Sequence, residues 1–290
     1  MSLWRPHKAD MHPGLWLIVI VSGAAGQFLD SLAGMGFGAL SSTIMLSGGI
    51  APAVVIGVVN IAKVGSGLVS GLSHWRFGNV RWPWVLPMLA PALAGGVIAA
   101  LIVTSIPEET IRLVVPVVLM LMGLLILYRF LWAKPILTPV AGGSGEYEPA
   151  VPRGFLRTPT QRLTSEKPIT AVWLGVIGFI GGFLNGLSGA FGPFTTSAML
   201  LKQMGHPRFA IGTVNFVEVF VAGAVAATLI LRATSGDWHW GLPLALMAGS
   251  IVTASIGAYL SRRLPARVVG VFVGFALIAL NTWSLARAII

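Results

Sequence analysis

Two ionisable side chains lie deep in apolar sequence. Lys63 is flanked by Ile61, Ala62 and Val64, and Glu218 by Val217 and Val219. A charge at mid-bilayer costs about 3 kcal/mol or more unless it is paired or wetted. A group so placed is by default functional: the ammonium attracts an anion, and the carboxylate carries a proton or gates a path. Asn60 stands three residues before Lys63, and Asn215 three before Glu218, so each polar pair shares a helix face. The alternative is a buried Lys63–Glu218 ion pair that only joins two parts of the fold, with desolvation offsetting the attraction.

A second set lies near two glycine-rich turns. Asp30 and Asn185 precede the turns, with Gln27 one helical turn before Asp30. Asp30 is either a second protonatable group or a helix-end carboxylate facing solvent. Ser31 and Ser188 offer hydroxyl donors for an oxyanion, or else small residues for close helix packing. Gly34, Gly36 and Gly38 break the first apolar run; Gly189, Gly192 and Pro193 break the second. A helix that begins after such a break presents free N–H groups and a partial positive charge, which suits an anion. Leu32–Gly38 and Leu187–Pro193 are therefore expected to form a paired anion site, including Gly34 and Gly189.

These residues recur because the chain is duplicated. Residues 26–64 and 181–219 align without a gap at an offset of 155, with 13 of 39 positions identical. GQFLDSLAGMGFG matches GGFLNGLSGAFGP, and Lys63 falls on Glu218. Duplicated hydrophobic halves with interrupted segments at matching places mark a secondary transporter.

The elements that position these residues are apolar runs long enough to cross a bilayer, which takes about 20 residues. Eight are expected: Leu15–Ala33, Val54–Leu72, Trp82–Val103, Ile111–Leu131, Ile169–Leu187, Phe209–Leu231, Trp240–Leu260 and Val268–Ala286. Two shorter runs, Phe37–Leu46 and Phe194–Leu201, are re-entrant half-helices or short crossings. If they cross, each half has five segments and the second is inverted; the 18 Lys and Arg other than Lys63 then divide 13 to 5 between the two faces. If they do not, the split is 12 to 6, so the positive-inside rule favours inversion, and both versions place the central loop in the cytoplasm. The expected organisation is an N-terminal membrane repeat over 14–132, a flexible Gly- and Pro-rich linker over 133–168, and a C-terminal membrane repeat over 169–290. Trp75, Trp82, Trp84, Trp238 and Trp240 at segment ends read as an aromatic belt, and His74 and His206 as headgroup contacts.

Composition excludes other classes. The chain is 56% hydrophobic and 10% charged, against about 25% charged in soluble domains. Its net charge of +10 is scattered over short loops, which argues against nucleic acid. It has no Cys, which removes thiol chemistry and disulfides. The sequence contains no zinc spacing, nucleotide loop or nucleophile–base–acid set, so neither metal nor cofactor is expected. The N-terminal basic and apolar stretch is read as a first span rather than a cleaved leader, since it has an internal counterpart at Trp173–Leu187.

The chain resembles the TauE/SafE sulfite exporter family. The likeness rests on the duplicated Gly-rich turns, on Pro52 and Pro207 opening the next helices, and on SGLSHWRFGNVRW after the second long segment. It covers both halves. It implies an inner-membrane carrier of small anions such as sulfite, thiosulfate or sulfonates, coupled to protons or membrane potential. One departure is that Asn60 and Lys63 stand where this branch of the family often carries His and Glu.

The sequence thus predicts an all-α polytopic membrane protein of two pseudo-symmetric halves, working by alternating access rather than as an enzyme. Asn60, Lys63, Asn215, Gly34, Ser31, Ser188 and Gly189 are expected to bind a small anion, and Glu218 and Asp30 to couple protons or gate. The partners are that anion, protons and the lipid bilayer. An anion channel, a scaffold and a membrane enzyme are the rival classes; an enzyme would gather its polar residues at one interface rather than inside the spans.

Overall fold

The structure, a computed structural model, describes residues 13–33, 36–132, 170–201, 207–233, 240–260 and 266–289. The described residues form ten helices: α1 Pro13–Ala33, α2 Phe37–Ser47, α3 Pro52–Arg76, α4 Trp82–Ser105, α5 Glu108–Leu131, α6 Ala171–Ser188, α7 Gly192–Leu201, α8 Pro207–Arg232, α9 Gly241–Leu260 and α10 Ala266–Ile289. The described residues contain no strand. The central linker expected over 133–168 lies outside them, as do Trp238 and His206.

Helix ends follow the local chemistry. α1, α3 and α8 open on proline, whose missing N–H and fixed φ suit the first helical position. Thr170 caps α6 by accepting from the N–H of Trp173 at 3.3 Å. Glu108 and Glu109 occupy the first turn of α5, where the helix dipole favours them. α6 stops at Gly189, which takes the left-handed conformation at φ +75° that a side chain would disfavour.

Among the described residues, seven helices are long and apolar enough to cross a membrane: α1, α3, α4, α5, α6, α8 and the 270–289 part of α10. The described side chains of α9 make a shorter apolar stretch, Gly241–Thr253, within its 20-residue helix. The long helices turn apolar residues outward, among them Leu86, Leu121, Leu244 and Phe272. In lipid that is the expected arrangement, because the surrounding solvent is itself apolar. The short helices behave in the opposite way. α2 and α7 are buried along nearly their whole length, with Phe37, Met45 and Met199 among the fully enclosed side chains, as is Phe191 just before α7. Exposed Trp75, Trp82 and Trp240 fit a belt. Trp84 does not, because two residues on from Trp82 the helix has turned it inward, under the Arg81 guanidinium at 5.0 Å.

The duplication organises the packing. α4 lies chiefly on α6 and α1 on α9, and these are one contact seen twice, since α6 repeats α1 and α9 repeats α4. α3 packs on its own counterpart α8, and α5 on α10. The five most extensive interfaces all join one half to the other, so the halves interlock rather than stand side by side. Small residues permit this closeness. Gly178, Gly182 and Gly186, one turn apart on α6, lie where an added Cβ would strike the carbonyls of Met88, Ala92 and Gly96 on α4. Gly23 and Gly249 play the same part between α1 and α9, against Leu246 and Ile20.

The offset between the halves changes locally. A Cβ at Gly26 would meet the Ser41 hydroxyl, and one at Gly181 the Thr195 hydroxyl. That pairs α2 with α7 at an offset of 154, aligning Phe37 with Phe191 and Met45 with Met199. The sequence alignment without a gap therefore slips by one residue across the short helices.

Candidate functional site

α3 and α8 cross at the centre, and each brings one ion. The Lys63 ammonium lies 3.2 Å from the Glu218 carboxylate and 3.7 Å from that of Asp30 at the end of α1. The side chains are 8%, 5% and 13% exposed, so the charges are withdrawn from solvent and hold one another. The Lys63 ammonium also sits 5.3 Å from the ring centre of Phe37, the first residue of α2, a cation–π arrangement.

Both short helices direct their amino ends at this cluster. Asp30 Oδ1 accepts from the N–H of Gly36 at 2.8 Å and of Phe37 at 3.3 Å. The backbone N–H of Gly192, the first residue of α7, lies near the Glu218 carboxylate. The half-helix ends expected to receive an external anion thus hold the chain's own carboxylates. Asp30 is not a solvent-facing helix-end group: it bridges the break, capping α2 across six residues of chain.

The asparagines form a neighbouring bridge. Asn185 Nδ2 on α6 donates to Asn60 Oδ1 on α3 at 2.7 Å, and Asn60 Nδ2 donates to the Ile56 carbonyl at 2.8 Å. Both side chains are buried. Asn215, the counterpart of Asn60, donates to Ile211 in its own helix at 3.0 Å. The counterpart of Asn185 is Asp30, which turns to α2 and Lys63 instead. The charge difference between Asp30 and Asn185 therefore makes the two breaks unlike.

The second break is closed tightly. Ser42 on α2 donates to the Ser188 carbonyl at 2.8 Å, and the Gly189 carbonyl approaches Gly38 so nearly that a Cβ there would collide. The Ser188 hydroxyl donates to Leu184 in its own helix at 2.8 Å. Gly34 lies outside the described residues, and so does the side chain of Ser31. At the register of Ser42, α7 carries Thr196, whose buried hydroxyl has no hydrogen-bond partner.

The fold therefore brings together Asp30, Lys63, Glu218, Asn60 and Asn185, with Ser188 and Gly189 lining the adjoining break. Sequence reasoning placed Phe37 and Gly38 inside the first break without giving either a role of its own, and missed Ser42 and Thr196. A signal for Ser42 and Thr196 was present: Ser41–Ser42–Thr43 in one short segment and Thr195–Thr196–Ser197 in the other, hydroxyl triplets in otherwise apolar runs.

A separate cavity of about 100 Å³ lies at the far end of α2. Leu46, Gly49, Ile50, Arg112, Ser284 and Arg287 are among its walls. Arg287 donates to the Ser47 carbonyl at 3.3 Å, and Arg112 pairs with Glu108 at 2.7 Å.

Residues 18–283 match the family model described as Sulfite exporter TauE/SafE. A Bacillus subtilis protein named as a probable membrane transporter, YtnM, is 30% identical over 264 residues, covering 91% of this chain and 80% of that one. The Sinorhizobium probable membrane transporter ORF9 is 27% identical, covering 86% and 84% of the two chains. The Escherichia coli K12 probable membrane transporter YfcA is 23% identical, covering 88% and 80%. No solved structure matches the chain. By name these relatives are transporters rather than enzymes, in keeping with a buried ionic centre between apolar spans. The chain is a multi-pass membrane protein and belongs to the TauE/SafE sulfite exporter family.

Proposed function

We propose that the protein is a secondary carrier of small anions, with sulfur oxyanions or organosulfonates as the substrate class, working by alternating access across the inner membrane. The observation that carries the reading is the Lys63 ammonium, buried where α3 and α8 cross and flanked by Asp30 and Glu218. An ion so placed is costly, and neither apolar packing nor helix capping requires it. Asn60, Asn215, Ser31, Ser188, Gly34 and Gly189 complete the proposed binding region, with Glu218 and Asp30 coupling or gating.

The contacts favour a particular motion. A swing of one sequence half against the other would shear every major interface. The pairs α1–α9 and α4–α6 each mix the halves and flank the α3–α8 crossing. Rocking between those mixed pairs leaves the glycine-lined contacts whole and exposes the ionic cluster to either side in turn. The Lys/Arg distribution supports an inverted repeat with a cytoplasmic central loop.

The test is counterflow in proteoliposomes with labelled sulfite, thiosulfate and sulfoacetate. A carrier gives saturable exchange that accelerates when unlabelled anion is placed on the trans side. Flux without saturation or trans-acceleration, for every anion tried, points to a channel and ends the carrier reading.

A further inference from the structure

The cluster is already in electrical balance without a solute. Two carboxylates, Asp30 and Glu218, face one ammonium, Lys63. The remaining negative charge is met by the amino ends of α2 and α7, each equivalent to about half a positive charge. Gly36 and Phe37 N–H groups bond Asp30 at one of these ends, and the Gly192 N–H lies near Glu218 at the other. An arriving anion therefore finds no unanswered positive charge, and adding it to so enclosed a place is opposed by the two carboxylates already there.

Few other groups are able to compensate. α2, α4, α6 and α7 carry no ionisable side chain, and α9 carries only Tyr259 near its end. α5 and α10 hold theirs near their ends: Glu108, Glu109, Arg112, Tyr128 and Arg129 on α5, Arg267 and Arg287 on α10. α8 adds only Arg208, Glu218 and Arg232, and α3 adds Lys63, His74 and Arg76. His74 lies within electrostatic range of Asp30, but its ring faces Asn79 at 3.3 Å in the last turn of α3.

We propose that Asp30 is a tethered stand-in for the transported anion, and that the solute displaces its carboxylate from Lys63 and the α2 amino end while Asp30 takes up one proton. Of the two carboxylates Asp30 lies farther from the Lys63 ammonium and is the less buried. The solute inherits its donors: the Gly36 and Phe37 N–H groups and the ammonium. The proton comes from the aqueous phase on the side where the anion enters, and the total charge of the centre stays as it was. A monoanion and a proton then cross together with no net charge. This rests on the carrier reading above and specifies its coupling.

The experiment uses purified protein in lightly buffered detergent solution with a pH indicator, titrated with methanesulfonate, which does not itself titrate near neutrality. The expected result is uptake of about one proton per anion bound; binding with no proton uptake overturns the proposal. Asp30→Asn keeps an acceptor for Gly36 and Phe37 but removes the charge. It is expected to bind the anion without proton uptake, and its net uptake into proteoliposomes, at an altered rate, becomes sensitive to an imposed membrane potential to which the parent's is indifferent. Proton uptake that persists in Asp30→Asn overturns the assignment to Asp30. If Asp30→Asn does not fold, the proton count of the parent decides the matter. A parent that binds and exchanges neither methanesulfonate, sulfite nor thiosulfate defeats the carrier reading itself, a failure separate from binding without a proton.

Discussion

Lys63 and Glu218, aligned by the duplication, meet 3.2 Å apart at the crossing of α3 and α8. A pair between equivalent positions of two repeats lies close to the relation that exchanges them, where both halves contribute to one site. The same contact gives a discriminating test. Removing one partner of a buried pair costs about 3–5 kcal/mol, because the other charge is left uncompensated, whereas replacing both by apolar groups is often neutral. Lys63→Met is expected to lower the melting temperature and abolish exchange. Lys63→Met with Glu218→Met recovers part of the stability and none of the exchange. Thermal melting in detergent and counterflow measure the two effects; exchange at the parent's rate in the double variant assigns the pair to structure alone.

The Asn185–Asn60 bond crosses between the halves within a buried setting. Asn185→Ala leaves the Asn60 carbonyl oxygen without this donor, at about 1–3 kcal/mol. A double-mutant cycle with Asn60→Ala is expected to give a coupling of about 0.5–3 kcal/mol. Additive effects across that cycle contradict the contact.

Gly189 and Gly38 are constrained for different reasons. At Gly189, φ is +75° and an added Cβ would lie 3.0 Å from the Ser42 hydroxyl. Gly189→Ala is expected to cost about 1–3 kcal/mol for the strained backbone. Gly38→Ala sets a methyl against the Gly189 carbonyl, which is main chain and has little freedom to retreat. It is expected to be the worse of the two, with a poor yield of folded protein by size-exclusion chromatography. The reverse order contradicts the packing of α2 on the second break.

Ser42 and Thr196 occupy equivalent places with unequal bonding. Ser42→Ala removes the bond to the Ser188 carbonyl and is expected to lower stability by about 1 kcal/mol. Thr196→Val exchanges a buried, unpartnered hydroxyl for a methyl of the same shape, and is expected to hold or raise the melting temperature. A clear loss in Thr196→Val means that the hydroxyl finds a partner in another state of the cycle.

The sequence by itself determined the class, the presence of two short segments among the long ones, the duplication, and the identity of the central ions. Those follow from solvent: hydrocarbon imposes long apolar helices, and it makes Lys63 and Glu218 conspicuous. Tertiary structure decided what the ions do to one another. No local pattern says that Asp30 will reach past the break to cap α2, because that depends on how the chain reverses between two helices. Nor does any pattern show that α1 belongs with α9 and α4 with α6, since an apolar face in lipid has no preferred partner until small residues meet. The one-residue slip between α2 and α7 was hidden for a related reason. Identities in two short apolar segments are too few to fix a register, and only the fit of Gly26 on Ser41 and Gly181 on Thr195 does so.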